Sequence, residues 1–440
     1  MKKYILILLA LIFMATSVNA QVLIFNDCER GLRGADEFTG FSTRQKSHFQ
    51  FTQDSILLVM VNNDNGNDNS GFYSDDGGAT WTLMDDGTLF NRGDADHYSI
   101  SVGDNDTVYV AQSTVNNFPI IIRSWHNGTM YGIDTVGNSI NYTAALSFTR
   151  GDTLCFFYKP TNYRFTVSTT LDGLDTSATW VGAADTVTTG HDYENAYIWT
   201  YTLDGLAIFG CDDVNGVDSL HFAGTDGFKG VAGGVLGGDY NLSAYGAGAF
   251  VSIACRRNSD TLAFAVHDFD SIYVKVGRFY NNGGTMTWSD IRNVTVSTGG
   301  LPTFVNNDVN TWAFPAIQWD ANGALRVYYK YYADTSAHAA SAIHLKESTD
   351  YGTTFGDAVE LLAATTTDTI TAIQVPPVSS TINGSQILRG VAYSDDASYG
   401  SGQNVIYFIA DSVNALTMSG GATNPINRRN SMKQITTGGN

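Results

Sequence analysis

The stretch Ser74-Asp75-Asp76-Gly77-Gly78-Ala79-Thr80-Trp81 constrains this chain more than any other. It has the chemistry of a hairpin tip. Asp76 accepts hydrogen bonds from backbone N–H groups a few residues on, as in an Asx-turn. Gly78 admits positive φ without steric cost. Thr80 and Trp81 restart a strand, and Trp81 brings a large apolar surface to bury. A second copy stands at Ser348-Thr349-Asp350-Tyr351-Gly352-Thr353-Thr354-Phe355. Both obey the pattern Ser-x-Asp-x-Gly-x-Thr-aromatic. Worn copies are expected at Thr170–Trp180 and Asn281–Trp288. A repeated tip implies a repeated sheet unit.

Around these tips no long helical pattern occurs. Strand-like runs alternate with Asn, Asp and Gly clusters. They recur in units of roughly 45–65 residues, the period of propeller blades. Composition agrees: charged residues are 15%, with 45 Gly, 23 Tyr and 24 Phe, which suits strands joined by tight turns. Seven strand sets begin near His48, Asp96, Asn141, His191, Asp239, Asn307 and Thr371. The last set lacks a fourth strand, and Val22–Phe25 offers one. Pairing the two chain ends would close a ring and remove exposed sheet edges. The expected fold is all-β: a β-propeller of seven four-stranded blades, six being the alternative count, closed by its N- and C-terminal strands.

The two complete motifs resemble the Asp-box, or BNR repeat, of sialidase-like β-propellers. The resemblance covers the hairpin tips and the period. It implies structural roles for Ser74, Asp76, Gly78, Thr80 and Trp81, and for Ser348, Asp350, Gly352, Thr354 and Phe355, on outer hairpins away from the ligand face. In that family three arginines hold the substrate carboxylate, beside a Tyr–Glu nucleophile pair and an Asp acid/base. The first of those arginines lies in an Arg-Ile-Pro-type motif, which this chain lacks. Arg44 is in the right neighbourhood only. Arg123, Arg256, Arg326 and Arg389 align with none of the three.

The first 20 residues read as a secretory leader: Lys2 and Lys3, an apolar run from Tyr4 to Met14, and the small-residue site Val18-Asn19-Ala20. The run is too short to span a bilayer. The expected organisation is a leader over 1–20, a propeller over 21–415 and a flexible tail or linker over 416–440. The expected location is secreted, extracellular or periplasmic. Net charge is −19, and −21 once Lys2 and Lys3 leave. That argues against nucleic acid or anionic membrane as partner. Cys28, Cys155, Cys211 and Cys255 allow three full pairings or free thiols. No Cys/His spacing resembles a zinc site.

Chemistry is expected where each innermost strand begins. There a polar or acidic residue stands beside an aromatic: Asp96-His97-Tyr98, Asn141-Tyr142, His191-Asp192-Tyr193-Glu194, Asp239-Tyr240, and Asn307-Asp308 ahead of Trp312. Sugar C–H faces stack on aromatic rings while hydroxyls bond to carboxylates. His97, Tyr98, His191, Tyr193, Tyr240 and Trp312 are the candidate ligand-binding residues. The competing reading is that each acid caps a loop and each tyrosine packs between blades. Glycoside cleavage would need an acid and a partner, with candidates Asp96, Asp192, Glu194, Asp239 and Asp308. No cofactor is expected. The loop Asn62–Asp68 leaves calcium open, against a plain solvated turn. The expected function is extracellular carbohydrate recognition or surface interaction. The alternatives are a sialidase-like glycoside hydrolase (exo-alpha-sialidase type) or other polysaccharide-active enzyme, and a docking propeller with a protein partner.

Overall fold

The computed structural model describes residues 21–28, 49–51, 57–63, 68–84, 97–102, 108–113, 119–126, 129–138, 146–150, 153–161, 164–170, 181–188, 193–199, 205–214, 217–226, 236–241, 250–255, 261–268, 270–282, 285–301, 303, 313–319, 323–334, 339–364, 369–376, 381–382, 386–387, 390–396 and 404–410. Among them every regular element is a strand and none is a helix. The strands form seven four-stranded antiparallel sheets and one short two-stranded ladder. Numbered in chain order, sheet I holds Phe49–Phe51, Leu57–Asn63, Asp68–Ser74 and Thr82–Leu83. Sheet II opens with His97–Val102, sheet III with Leu146–Arg150 and sheet IV with Tyr193–Trp199. Sheet V holds Phe250–Cys255, Thr261–Asp268, Ser271–Asn282 and Thr285–Ser297. Sheet VI holds Ala316–Trp319, Leu325–Asp334, Ala339–Ser348 and Val359–Leu362.

In sheets I to VI neighbouring strands are consecutive in the chain. Sheet VII is different. It takes Thr369–Gln374, Gly390–Asp396 and Asn404–Ala410, then Gln21–Cys28 from the other end of the chain. Gln21 stands opposite Ile409 and Cys28 opposite Asn404. The first strands of sheets I and II, II and III, III and IV, and V and VI touch. Sheet VI touches the first strand of sheet VII, and Gln21–Cys28 touches Leu57–Asn63 of sheet I.

Sheet VI shows why the strands read as nearly unbroken apolar runs. Alternate residues face opposite sides of a sheet. Ile317, Trp319, Leu325, Val327 and Tyr329 pack with Ala263, Ala265, Val274 and Val276 of sheet V. Their alternates Ala316, Tyr328, Ile343 and Leu345 pack with Ile370, Ile373, Val391, Tyr393 and Ile409 of sheet VII. Both faces are covered, so both parities are apolar. Each buried Val, Leu or Ile among them contributes about 1.5–3 kcal/mol.

The two motif hairpins share one bonding scheme. Ser74 Oγ donates to Asp76 Oδ1 at 2.8 Å and accepts from Gly78 N at 2.7 Å. Thr80 donates its N–H to Asp76 Oδ1 at 2.9 Å and its hydroxyl to Oδ2 at 2.7 Å. Ser348, Asp350, Gly352 and Thr354 repeat every one of these bonds. Partial burial pulls the Asp76 pKa up, but hydrogen bonds from Thr80 and Ser74 outweigh it and hold it below its ordinary value. The Thr354 N–H, then the Ser348 hydroxyl, hold Asp350 far below its ordinary value. Each hairpin also leans on another sheet. Trp81 meets Phe408 of sheet VII edge-on, with ring centroids 5.5 Å apart. Phe355 packs into the cluster between sheets V and VI.

Several sequence expectations shift. Asp239 and Tyr240 lie in Leu236–Asn241, the last strand of sheet IV, and sheet V starts only at Phe250. Tyr240 pairs with Phe222, Phe222 with Phe209 and Phe209 with Tyr197, so four aromatics share one register row. The ladder thus continues through Tyr240, where the sequence suggested a loop. Asn281–Trp288 is no worn motif hairpin. Its ladder runs unbroken to Asn282 opposite Thr285, with Trp288 opposite Phe279, leaving two residues to turn the chain. Asn62, Asn63 and Asp68 belong to the hairpin ladder, and residues 64–67 lie outside the described residues. So do 1–20, 171–180 and 411–440, where the leader, the rest of the other worn motif and the tail are expected.

Candidate functional site

Register defines two ends of each sheet. In sheet VI, Trp319 opposite Leu325 and Leu325 opposite Ser348 mark the end that carries the motif hairpin. Ala316 opposite Tyr328 and Asp334 opposite Ala339 mark the other, where the first strand begins. Four of the sequence candidates stand at that second end of their own sheets. His97 and Tyr98 open the first strand of sheet II, and Tyr193 and Glu194 that of sheet IV. Sheet III separates them. Asp239 and Tyr240 lie in the last strand of sheet IV, where Tyr240 is level with Tyr197 near mid-sheet, so the register does not bring them to the Tyr193 end. Asp96, His191, Asp192, Asp308 and Trp312 lie outside the described residues.

What is described is the segment that follows Asp308 and Trp312 in the chain, Ala313 and Phe314, which leads into the first strand of sheet VI. The Ala313 N–H donates to His267 Nδ1 of sheet V at 3.1 Å, and its carbonyl accepts from Lys330 N at 2.7 Å. His267 therefore carries no proton on Nδ1. Phe314 has φ +46° while only 3% exposed, a strained backbone for an aromatic residue. Lys330 Nζ lies 5.6 Å from the Phe314 ring centroid and 4.6 Å from that of Tyr332, within cation–π range. Tyr332 N donates to Gly300 O at 2.8 Å. Gly300, at φ +68°, lets the backbone lie against the Tyr331 ring.

The first strands are fastened in the same way. Each is a sheet edge, so its outward N–H groups need partners from elsewhere. Ile317 N donates to Ser252 Oγ of sheet V at 3.1 Å. Ile370 N donates to Ser341 Oγ of sheet VI at 3.1 Å. Further out, the His344 ring stacks on Tyr331 at 4.1 Å, with His344 Nε2 3.7 Å from Glu360 Oε2. Burial pushes the His344 pKa down and outweighs the pull of Glu360, so the imidazole is neutral at pH 7. Burial raises the Tyr329 phenol pKa, against a hydrogen bond with Ser297.

Sequence reasoning missed His267, Lys330, Phe314, Ser252 and Ser341. Each sits inside or beside an apolar strand run, and nothing local distinguishes it. Among the described residues no group of three His, Cys, Asp or Glu stands close enough to hold a metal ion.

No protein family profile matches this chain, and no curated protein matches it. Solved structures do. A polysaccharide lyase, ulvan lyase, bound to GlcA(1-4)Rha3S units superposes with a TM-score of 0.52 at 11% identity, covering 91% of this chain and 99% of that one. An alpha-L-arabinanase of Penicillium chrysogenum complexed with arabinobiose gives 0.44 at 11% identity, covering 89% and 97%. A Hadza microbial sialidase gives 0.43 at 12% identity, covering 88% and 68%. The chain shares the all-β fold of the ulvan lyase. Among the described residues no helix is long and apolar enough to cross a membrane.

Proposed function

We propose that this chain is a secreted Asp-box β-propeller of seven blades that binds carbohydrate on the face where its innermost strands begin. The observation that carries the site is the anchor at Ala313 and Phe314. A strained, buried backbone held by a histidine from the neighbouring sheet stands directly after Asp308 and Trp312 in the chain. Strain of this kind persists where a working surface needs it. His97-Tyr98 and Tyr193-Glu194 likewise open the first strands of sheets II and IV. The fold shared with carbohydrate-active propellers raises the expectation of a sugar without specifying one.

Ring closure has two supports. Gln21–Cys28 completes sheet VII. In addition, Gly78 of the first hairpin lies against Phe408 in the third strand of sheet VII, just as Gly352 of the second lies against Val276 in the third strand of sheet V. Sheet VII thus stands to sheet I as sheet V stands to sheet VI. The matching hydrogen bonds of the two hairpins support the Asp-box reading.

The test is a glycan array run beside a panel of glycoside and polysaccharide substrates on residues 21–440. Replacing Tyr193 and Glu194 by Ala is expected to abolish binding and leave the melting temperature nearly unchanged. Lost stability with intact binding would show that the two residues only pack. Turnover in the panel would make Asp96, Asp192, Glu194, Asp239 and Asp308 the residues to replace next.

A further inference from the structure

Of the four positions at which the two motif hairpins differ, one strains the backbone. After the aspartate the first hairpin has Gly77, at φ +77°. The second has Tyr351, at φ +60°. The turn demands a left-handed residue here. Glycine adopts that conformation freely. A bulky side chain does not, because its Cβ crowds the following carbonyl. The second hairpin therefore keeps an ill-suited residue at a position where its own sister uses glycine.

The strain holds an aromatic ring at the surface. Tyr351 is 39% exposed. Its ring lies against Gly323, where a Cβ would stand 2.4 Å from Tyr351 Cε1, so only glycine lets the ring approach. Arg292, from the last strand of sheet V, donates through Nη1 to the Tyr351 carbonyl. The neighbouring Asp350 carboxylate is occupied by Ser348, Thr353 and Thr354. A ring backed by bare backbone, in a residue whose own carbonyl a guanidinium holds, suits a ligand with both an apolar face and an acid group. A sugar ring stacks its C–H face on the aromatic, and a carboxylate on that sugar takes the forked donor.

We propose that Tyr351 and Arg292 form a second saccharide site, for uronate-bearing chains, at the end of sheets V and VI opposite the first-strand face. It stands independently of the proposed central site. The test uses residues 21–440 in a background carrying Tyr193→Ala and Glu194→Ala, with short oligogalacturonates and oligoglucuronates as probes and neutral oligosaccharides as controls. Calorimetry is expected to show uronate binding in that background. Tyr351→Phe should retain it. Tyr351→Asn, which tolerates the left-handed conformation, should weaken it about tenfold or more with an unchanged or higher Tm. Arg292→Gln should erase the preference for acidic over neutral probes. The proposal is overturned if no uronate binds the background. It is overturned equally if Tyr351→Asn binds like its parent, whether or not it melts lower, since the ring would then serve only as packing. Binding lost in the Tyr193 and Glu194 background but present in otherwise wild-type Tyr351→Asn would leave the central site standing and remove this one.

Discussion

Gly78 should accept no side chain while Phe408 is present. A Cβ at Gly78 would lie 2.1 Å from Phe408 Cε1 and 2.4 Å from Cδ1. The ring has nowhere to go. It is fully buried, and on its other side a Cβ at Gly390 would stand 2.3 Å from Cζ. Gly78→Ala therefore carries two costs. The left-handed backbone, φ +91°, contributes about 1–2 kcal/mol. Displacing the ring contributes about 1–3 kcal/mol. Gly390→Ala isolates the second, because its φ is not positive. Phe408→Ala alone should cost about 3–5 kcal/mol. In the double variant Gly78→Ala/Phe408→Ala the clash vanishes and the new methyl fills part of the cavity. The pair should then cost about 1–3 kcal/mol less than the sum of the singles. Urea unfolding followed by tryptophan fluorescence measures this, with Trp81 5.5 Å from the ring as a local reporter. Additivity within about 0.5 kcal/mol would refute the contact, and with it the docking of the first hairpin on the last sheet.

Two further outcomes are expected. Asp76 and Asp350 have folded pKa values below the ordinary 3.8, so the stability they supply is full above that value and is lost as pH falls beneath it. Melting temperature against pH should fall steeply for the parent between about pH 5 and 2, and much less for Asp76→Asn/Asp350→Asn, which starts lower at pH 7; equal slopes would disprove the role of the two carboxylates. His267→Ala leaves the buried Ala313 N–H without its acceptor and should cost about 1–3 kcal/mol. It should also weaken glycan binding, whereas Ser252→Ala, which frees Ile317 N deeper in the same strand, should lose stability and keep its affinity. Equal affinity in both variants would show that the Ala313 anchor does not serve the loop.

The fold was legible where the pattern is local and repeated. Strand runs such as Ala316–Trp319 and Leu325–Asp334 announce themselves because both faces are buried and both parities are apolar. The N-terminal Val22–Phe25 run could be matched to the seventh set because one strand was missing there, and Gln21–Cys28 does pair with Asn404–Ala410. The boundary between sheets IV and V was misplaced for a physical reason. Gly237, Gly238 and Asp239 have the composition of a turn, yet they lie within Leu236–Asn241, whose Tyr240 holds its place in an aromatic row. Asn281–Trp288 misled in the opposite sense. Its Asn and Gly residues suggested a wide loop, but the ladder closes to Asn282 opposite Thr285.

The site was far less legible than the hairpins, and the span of the hydrogen bonds explains why. Ser74, Asp76, Gly78 and Thr80 satisfy one another across separations of two to four residues, so the whole device is written in one short stretch. At the other end the bonds join residues 46 apart for His267 and Ala313, 65 apart for Ser252 and Ile317, and 29 apart for Ser341 and Ile370. No window of sequence contains both partners. A serine or histidine in an apolar run then looks like an exception to the pattern, when it is the acceptor for an edge strand of the next sheet. The consequence is a division between the two ends of each sheet. Hairpin ends carry their own bonds and can be read, altered or strained one at a time, as Tyr351 is. First-strand ends depend on their neighbours, so a loop there is held in position only once the adjacent sheet has packed. Its geometry belongs to the assembled molecule and to no single repeat.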